Sequence, residues 1–226
     1  MTKARRSQRT DPRTEATCER MLEVGLALFS QHGFDSVSTR ALAEAAEVNQ
    51  AAIPYHFNSK EGLYHAVAHR VVDMVRPGMH PIMEAVRSHH VNGVTDLAQA
   101  REDIIALILG LMRQILSQPR KCEIGHFMMR EQMQPSSAFD ILYDNLLLPV
   151  HATLSQLVAA LRGLPQDSLK VAAEAHALFG EAIIFGAHRT TLMRRLQVQA
   201  LSDDQVDEIT AVVRAMLERQ FPALSA

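Results

Sequence analysis

Residues 38–57 read STRALAEAAEVNQAAIPYHF, and two short helices can be predicted within this stretch. Ser38 can cap a short helix over 39–46, and a second short helix is predicted over 50–57. Only residues 47–49 separate the two helices, which leaves room for a tight turn and nothing longer. Two short helices joined in this way are the ingredients of a helix-turn-helix, so the stretch predicts a DNA-binding unit.

The second short helix and its N-terminal turn carry side chains suited to the major groove. A helix of eight residues rises about 12 Å, and the major groove is about 12 Å wide. Side-chain amides bind adenine edges, and an alanine methyl can rest on a thymine methyl. The residues expected to contact bases are Arg40, Asn49, Gln50 and Ala51.

Other side chains near this stretch are suited to phosphate oxygens. Tyr55, His56 and Lys60 supply a phenol, an imidazole and an ammonium group. Asn58 and Glu61 have the spacing of a capping box, which predicts the start of the next helix. Hydroxyl and cationic side chains at helix N-termini commonly bind the DNA backbone. The residues expected to contact phosphates are Ser38, Thr39, Tyr55, His56 and Lys60.

The rest of the chain is also predicted to be helical, because apolar residues recur at helical spacing and no alternating strand pattern is present. A first helix is expected from Pro12 to about His32, and the helix that opens at Asn58 is expected to end at Arg76-Pro77-Gly78. The later helices are predicted over 81–90, 96–117, 120–133, 137–161, 167–196 and 203–220. Ser137 with Asp140, and Ser202 with Gln205, mark two helix starts, and Pro149 is expected to kink a helix.

Charge is unevenly distributed along the chain. Residues 1–13 contain five basic residues and one acidic residue, whereas residues 77–226 contain 13 basic and 16 acidic residues. A basic N-terminal arm on an acidic body suits a polyanionic partner at one end, with Arg5, Arg6 and Arg9 adding charge to the DNA contact, and a solvated, disordered tail is the alternative interpretation of the same charges. The predicted organisation is a basic arm (1–13), a helix-turn-helix domain (14–76) and a larger helical domain (77–226).

Composition narrows the class of protein further. The chain has two cysteines, Cys18 and Cys122, without CxxC spacing, so no disulfide framework is expected. No apolar segment follows the basic N-terminus, and the longest apolar run, Ile104 to Met112, is nine residues, about half of what a membrane span needs. We therefore expect a cytoplasmic protein without a membrane partner.

Enzymatic and metal-binding motifs are sparse. Glu123 and His126 form a single Glu-x-x-His, whereas a carboxylate-bridged di-metal bundle needs two. The pairs His65 with His69 and Cys122 with His126 have one-turn spacing but lack third and fourth ligands. We expect no enzyme activity, no metal and no cofactor. A helical metal-sensing regulator and an all-α protein-binding adaptor remain the alternatives.

Three stretches of the N-terminal region resemble the DNA-binding domain of TetR-family transcriptional regulators: MLEVGLALFSQHGF (21–34), VSTRALAEAAEVNQAAIPYHF (37–57) and NSKEGLYHAV (58–67). Phe-x-x-x-Gly-Phe, Tyr-His-Phe and Ser-Lys-Glu-x-Leu occur in the order and spacing of the family. The run VNQAAIxYHFxSKEGLY and the later MMREQMQPSSAFDILYDNLLLPVH are similar to the CecR-type subgroup. Two positions depart from the pattern: Glu47 stands where the family usually has glycine, and Pro54 lies inside the recognition helix.

The resemblance implies an all-α protein of about nine to ten helices, with a three-helix DNA-binding domain before a larger ligand-binding and dimerisation domain. It implies a homodimer formed through the helices at about 167–196 and 203–220, bound to a palindromic operator on double-stranded DNA. It further implies a repressor that a small-molecule effector releases from DNA.

The larger domain contains methionine and aromatic residues that could line an effector pocket, although such residues at helical spacing also form ordinary cores. The residues predicted for the pocket are Met112, His126, Met129, Arg130, Tyr143, His176 and Phe179.

Overall fold

The computed structural model describes residues 12–116 and 122–223, and this part of the chain is helical without a β-strand. The basic arm, with Arg5, Arg6 and Arg9, lies outside the described residues. The elements are α1 (Pro12–His32), α2 (Thr39–Ala45), α3 (Ala52–Phe57), α4 (Lys60–His89), α5 (Leu97–Leu116), α6 (Cys122–Met133), α7 (Phe139–Leu142), a π-helical segment (Tyr143–Leu147), α8 (Leu148–Arg162), α9 (Leu169–Ala187), α10 (Arg189–Leu196) and α11 (Asp203–Gln220).

Several helix ends lie where local capping signals predict them. The Ser38 hydroxyl accepts a hydrogen bond from the backbone N–H of Ala41 at 3.0 Å, so it caps α2. Gly33 follows α1 with a φ of +79°, a conformation that glycine adopts without steric cost. Ser202 and Gln205 form the predicted capping box at the start of α11. None of the described helices is long and apolar enough to cross a membrane.

Helix α4 is longer than the sequence predicts. It continues through Pro77 and Pro81 to His89, so the predicted end at residues 76–78 is wrong and the expected helix over 81–90 is its last part. Both prolines are exposed, whereas Val72 before them and Met83 after them are buried in the protein core. Burial on both sides stabilises a continuous helix more than two missing backbone donors destabilise it. The predicted domain boundary after residue 76 therefore falls inside a helix, and it remains a prediction.

The N-terminus of α4 also differs from the prediction. Ser59, and not Asn58, caps the helix, because the Ser59 hydroxyl accepts from the N–H of Gly62 at 2.9 Å. Asn58 instead ends α3, with a φ of +64°. Asparagine tolerates this left-handed region better than most residues do.

The single helix predicted over 137–161 is divided into α7, the π-helical segment and α8. Pro149 cannot donate a hydrogen bond to the carbonyl four residues earlier, and the backbone widens just before it. Ser137 does not cap this region, since Ala138 precedes α7 without a side-chain cap. The helix predicted over 167–196 is also divided, because His188 adopts a non-helical φ of −111° between α9 and α10.

The buried apolar residues form two clusters. One cluster joins the end of α4 with α5, α8, α9 and α11, and we call this part the body. The other joins α1, α2, α3 and the start of α4, which we call the DNA-binding unit, with α6, α7 and the π-helical segment. Helix α6 therefore packs against the DNA-binding unit through a shared apolar core and is one of the elements that hold this unit in place.

The far end of α4 is attached to the start of α5 by a buried carboxylate. Asp103 is 3% exposed and accepts hydrogen bonds from His89 Nδ1 at 2.9 Å, His90 Nε2 at 2.8 Å and Gln99 Nε2 at 3.0 Å. A buried carboxylate needs such donors to offset the loss of hydration. Sequence reasoning did not single out this cluster.

Candidate nucleic-acid interface

The turn between α2 and α3 is tightly built. The N–H of Val48 donates to the carbonyl of Ala43 at 3.0 Å, and Glu47 adopts a left-handed φ of 54°. Leu42 on α2 and Ile53 on α3 are 2% and 1% exposed, so each short helix is anchored by a buried apolar side chain. Glu47 thus occupies the backbone conformation for which glycine is better suited, as its place in the motif predicts.

The residues predicted to contact bases lie in and beside this turn, and all four are exposed: Arg40, Asn49, Gln50 and Ala51. Helix α3 begins at Ala52, so three of them precede the helix instead of forming its first turn. The Asn49 carboxamide oxygen accepts from the N–H of Ala51 at 2.8 Å, and Gln50 Nε2 donates to Thr39 Oγ1 at 3.0 Å. The two amides are therefore held in place on the protein surface before any DNA is bound.

Arg40 is engaged within its own helix. Its Nε donates to Glu44 Oε1 at 2.7 Å, and both side chains are largely exposed. Exposed ion pairs contribute little stability, so this guanidinium can exchange its carboxylate partner for a base or a phosphate.

The residues predicted to contact phosphates lie near the N-termini of α2 and α4 and on α3. Tyr55 is 80% exposed and its ring meets the His56 ring edge to face at 4.7 Å. Lys60 begins α4, and its Nζ lies 4.2 Å from the centre of the Phe34 ring. This cation–π contact holds a cation at a helix N-terminus, an arrangement suited to an anionic oxygen. Ser38 caps α2, and Thr39 accepts the bond from Gln50.

Pro54 is the third residue of α3 and is exposed. The backbone N–H groups in the first turn of a helix have no intrahelical partner four residues earlier, so proline there removes a donor that this helix does not need. Pro54 does not prevent α3 from forming, and it leaves one donor fewer at the proposed DNA surface.

The residues predicted for the effector pocket do not come together in one cavity. Met112 is fully buried in the body core, and His126 is exposed on α6. Met129 is half-buried on the same helix, and Arg130 Nη2 donates to the carbonyl of Gln31 at 3.0 Å, at the contact with the DNA-binding unit. Arg130 is therefore engaged, through Nη2, in a contact between α6 and the end of α1.

The other three predicted residues lie in or beside a surface groove of about 500 Å³ on the body. Tyr143 lines the groove, and His176 and Phe179 contact His151, which also lines it. The rings of His151 and His176 are stacked 5.4 Å apart at 17°. The complete lining comprises Tyr143, Leu148, His151, Ala152, Ser155, Gln166 and Asp167. All of these except Tyr143 were missed, because they come from elements whose contacts depend on tertiary packing.

The electrostatics of the groove favour a neutral imidazole. Burial lowers the pKa of His151, and the neighbouring His176 lowers the pKa further. A neutral imidazole both donates and accepts one hydrogen bond. The groove therefore exposes the Tyr143 ring together with hydroxyl, amide, carboxyl and imidazole groups.

Metal ligands are not assembled in residues 12–116 and 122–223, which contain no group of three His, Cys, Asp or Glu side chains able to hold an ion. His65 Nε2 forms a hydrogen bond with the Ser137 hydroxyl at 2.7 Å, and His69 is exposed. The Cys122 side chain lies outside what the structure describes.

Comparison with protein families assigns both parts of the chain. Residues 21–67 match the bacterial regulatory proteins of the tetR family, and residues 100–223 match the C-terminal domain of the HTH-type transcriptional dual regulator CecR. The chain belongs to the TetR family. As a member of this family it is a DNA-binding transcriptional regulator and not an enzyme, and the helix-turn-helix described above is its DNA-binding element.

Relatives of this TetR-family protein support the assignment over nearly the whole chain. The HTH-type transcriptional dual regulator CecR of Shigella flexneri is 28% identical over 211 residues, which are 93% of this chain and 94% of that protein. The regulatory protein RaaS of Mycobacterium tuberculosis is 44% identical over 57 residues, 25% of this chain and 26% of that protein. Similarity to CecR thus extends through both domains, whereas similarity to RaaS covers a quarter of the chain.

Solved structures show the same fold. AibR, solved in complex with isovaleryl coenzyme A and operator DNA, has a TM-score of 0.58 at 15% identity, covering 92% of this chain and 100% of AibR. The TetR-family regulator PfmR of Thermus thermophilus has a TM-score of 0.57 at 17% identity, covering 96% of this chain and 99% of PfmR. At these identities the likeness establishes the common helical architecture.

Proposed function

We propose that this TetR-family protein is a homodimeric repressor that binds a palindromic operator and is released from it by a small organic effector. The observation that carries the proposal is the exposed turn before α3, where Thr39 holds the Gln50 amide in place beside Asn49. Amides oriented in this way are suited to bind base edges, and Lys60 at the N-terminus of α4 is suited to a phosphate.

The dimer is supported by apolar surface that has no partner within the described residues of one chain. On α9 exposed apolar residues form a stripe that also contains the exposed His176: Leu169, Ala172, Ala173, Ala177, Gly180, Ile184 and Ala187. On α11, Val212 is 57% exposed and Met216 is 50% exposed. Small residues allow close helix approach, and burial of this surface against a second copy would remove it from water. A two-fold dimer would present two DNA-binding units to a palindromic site.

The groove on the body is the proposed effector site. It is bordered by the π-helical segment, a feature that often occurs at functional sites. The ring of Tyr143 in the groove stacks on Phe139 at 5.9 Å, and Phe139 directly follows the loop that contacts α4. An effector that displaces Tyr143 can therefore act on the DNA-binding unit through α7.

The proposal is tested by fluorescence anisotropy of the purified protein on its own upstream intergenic DNA and on scrambled DNA, each at low and at physiological salt. Preference for the upstream fragment at physiological salt is the expected result, and it supplies the assay for an effector screen. Equal binding to both fragments that disappears with salt contradicts an upstream operator. Absence of binding at either salt contradicts the assignment of Asn49 and Gln50 to bases.

A further inference from the structure

The contact between the DNA-binding unit and α6 contains a buried acidic side chain. Glu131 is 1% exposed, and it lies beside the apolar core that α6 shares with α1 and α4. Burial of a carboxylate among apolar side chains is unfavourable unless hydrogen-bond donors surround it. Packing alone does not explain why an acid stands at this position.

The donors to Glu131 come from both sides of the contact. Tyr64 on α4 donates from its hydroxyl to Glu131 Oε1 at 2.5 Å. Ser136, in the loop between α6 and α7, donates to Glu131 Oε2 from its backbone N–H at 3.1 Å and from its hydroxyl at 2.9 Å. Burial and the bond to Glu131 raise the pKa of the Tyr64 phenol, which keeps it protonated as the donor.

The same loop also contacts the first turns of α4. The Ser137 hydroxyl donates to Glu61 at 3.0 Å and lies 2.7 Å from His65 Nε2. Since α4 directly follows α3, these bonds tie the loop to the part of α4 that adjoins the recognition helix. Apolar packing is not directional, whereas a buried hydrogen bond has a defined distance and angle.

We propose that Glu131 is a positioning residue that, through Tyr64 and Ser136, fixes the orientation of the DNA-binding unit against α6 and α7, which lead through the π-helical segment into α8 of the body, and so fixes the half-site spacing that the dimer accepts. The inference rests on the proposed function for its DNA readout. In this arrangement, a change in the Glu131 network alters operator choice without altering the base contacts themselves.

The test uses Tyr64→Phe, which removes one hydroxyl and keeps the ring. Binding is measured on the operator, on the same operator lengthened by two base pairs between its half-sites, and on a single half-site. We expect the preference for the natural spacing to fall about tenfold, since one buried bond to a carboxylate is lost. Affinity for the single half-site is expected to stay within about twofold.

Ser30→Ala is the matched control, because the buried Ser30 hydroxyl belongs to the same unit and donates only to Ala27 in its own helix at 2.9 Å. It should keep the wild-type spacing preference. Unchanged spacing preference in Tyr64→Phe overturns the inference, as does an equal loss on the operator and on the half-site. If Tyr64→Phe does not fold, Ser136→Ala is measured in the same way, since it removes the hydroxyl donor to Glu131 and keeps the backbone donor.

A measurement without DNA separates this inference from the proposed function. Spin labels are placed at the exposed residues 36 and 156 in a background with Cys18 and Cys122 replaced by serine, and labelled chains are diluted with unlabelled ones. The distance distribution between the labels should be broader in Tyr64→Phe than in the wild type. Identical distributions contradict the positioning role even if the protein binds no DNA, and absence of DNA binding by the wild type contradicts only the proposed function.

Discussion

Gln50 donates a hydrogen bond from its side-chain nitrogen to the hydroxyl oxygen of Thr39 at 3.0 Å, and this bond joins the turn before the recognition helix to the first residue of α2. The two residues are eleven positions apart and both lie at the proposed DNA surface. The bond restricts the amide before DNA arrives, so less side-chain entropy is lost when it binds a base.

Replacing Gln50 with alanine should therefore weaken specific binding by about 1–3 kcal/mol and relax the preference at one operator position. Anisotropy titrations against operators changed one base pair at a time measure both effects. Gln156→Ala, at an exposed site on α8, is the control and should leave binding unchanged. An equal loss on operator and random DNA contradicts the assignment of Gln50 to a base.

Lys60→Ala should weaken binding to all DNA sequences alike and reduce the slope of log affinity against log salt by about one, because one phosphate contact is lost. The titrations are repeated over a range of salt concentrations. The comparison variant is Arg87→Ala, since Arg87 is exposed at the far end of α4 and pairs with Glu84 at 3.0 Å. A Lys60 variant with the wild-type salt slope shows that the ammonium contacts no phosphate.

Glu47→Gly should raise the free energy of unfolding by about 1 kcal/mol, because Glu47 has a φ of 54° and a side chain in the left-handed region is strained. Urea unfolding followed by circular dichroism gives the change. Ala41→Gly, in the neighbouring helix α2, should lower the free energy of unfolding by about 0.5–1 kcal/mol, because glycine destabilises a helix interior. Destabilisation by both variants argues against strain at Glu47.

Stability should decrease as the pH falls below about 6.5, and His151 should account for part of the decrease. The pKa of His151 is lowered in the folded protein by burial and by His176, whereas an unfolded histidine keeps its usual pKa. Between these two values the unfolded state binds more protons, so acid favours unfolding. The urea concentration at the unfolding midpoint is measured at about pH 7.5 and about pH 5.5, on either side of the usual histidine pKa, and the difference between the two midpoints reports the loss of stability. His151→Gln should reduce the difference between the two midpoints, and an unchanged difference assigns the acid sensitivity to other groups.

Ala177→Glu should convert the dimer into a monomer and abolish operator binding at concentrations where the wild type is saturated. Ala177 lies in the exposed stripe of α9, and two copies of a buried unpaired carboxylate would oppose association across a two-fold axis. Sedimentation equilibrium measures the mass. Ala85→Glu, at an exposed site on α4, should remain a dimer. If Ala177→Glu remains a dimer, the dimer contact does not include this stripe of α9.

Local spacing along the sequence correctly predicted some features of the chain and failed for neighbouring ones. It predicted the Ser38 cap and the short turn at Glu47, because both depend on residues within about four positions. It ended α4 at Pro77, because a local reading of proline does not include the cores that bury the helix on either side. It assigned Arg130 to a pocket, whereas the fold brings Arg130 to Gln31, 99 residues away.

Short-range spacing along the chain was enough to predict the helical class and the helix-turn-helix and to propose the residues that meet DNA, and the resemblance of its motifs to known proteins pointed to the TetR family. Only the folded chain shows which residues line the groove, how α4 continues into the body, and that Tyr64 is the partner of Glu131, 67 positions away. The physical reason is burial: a carboxylate removed from water must find its donors wherever packing places them, and spacing along the chain does not specify that place.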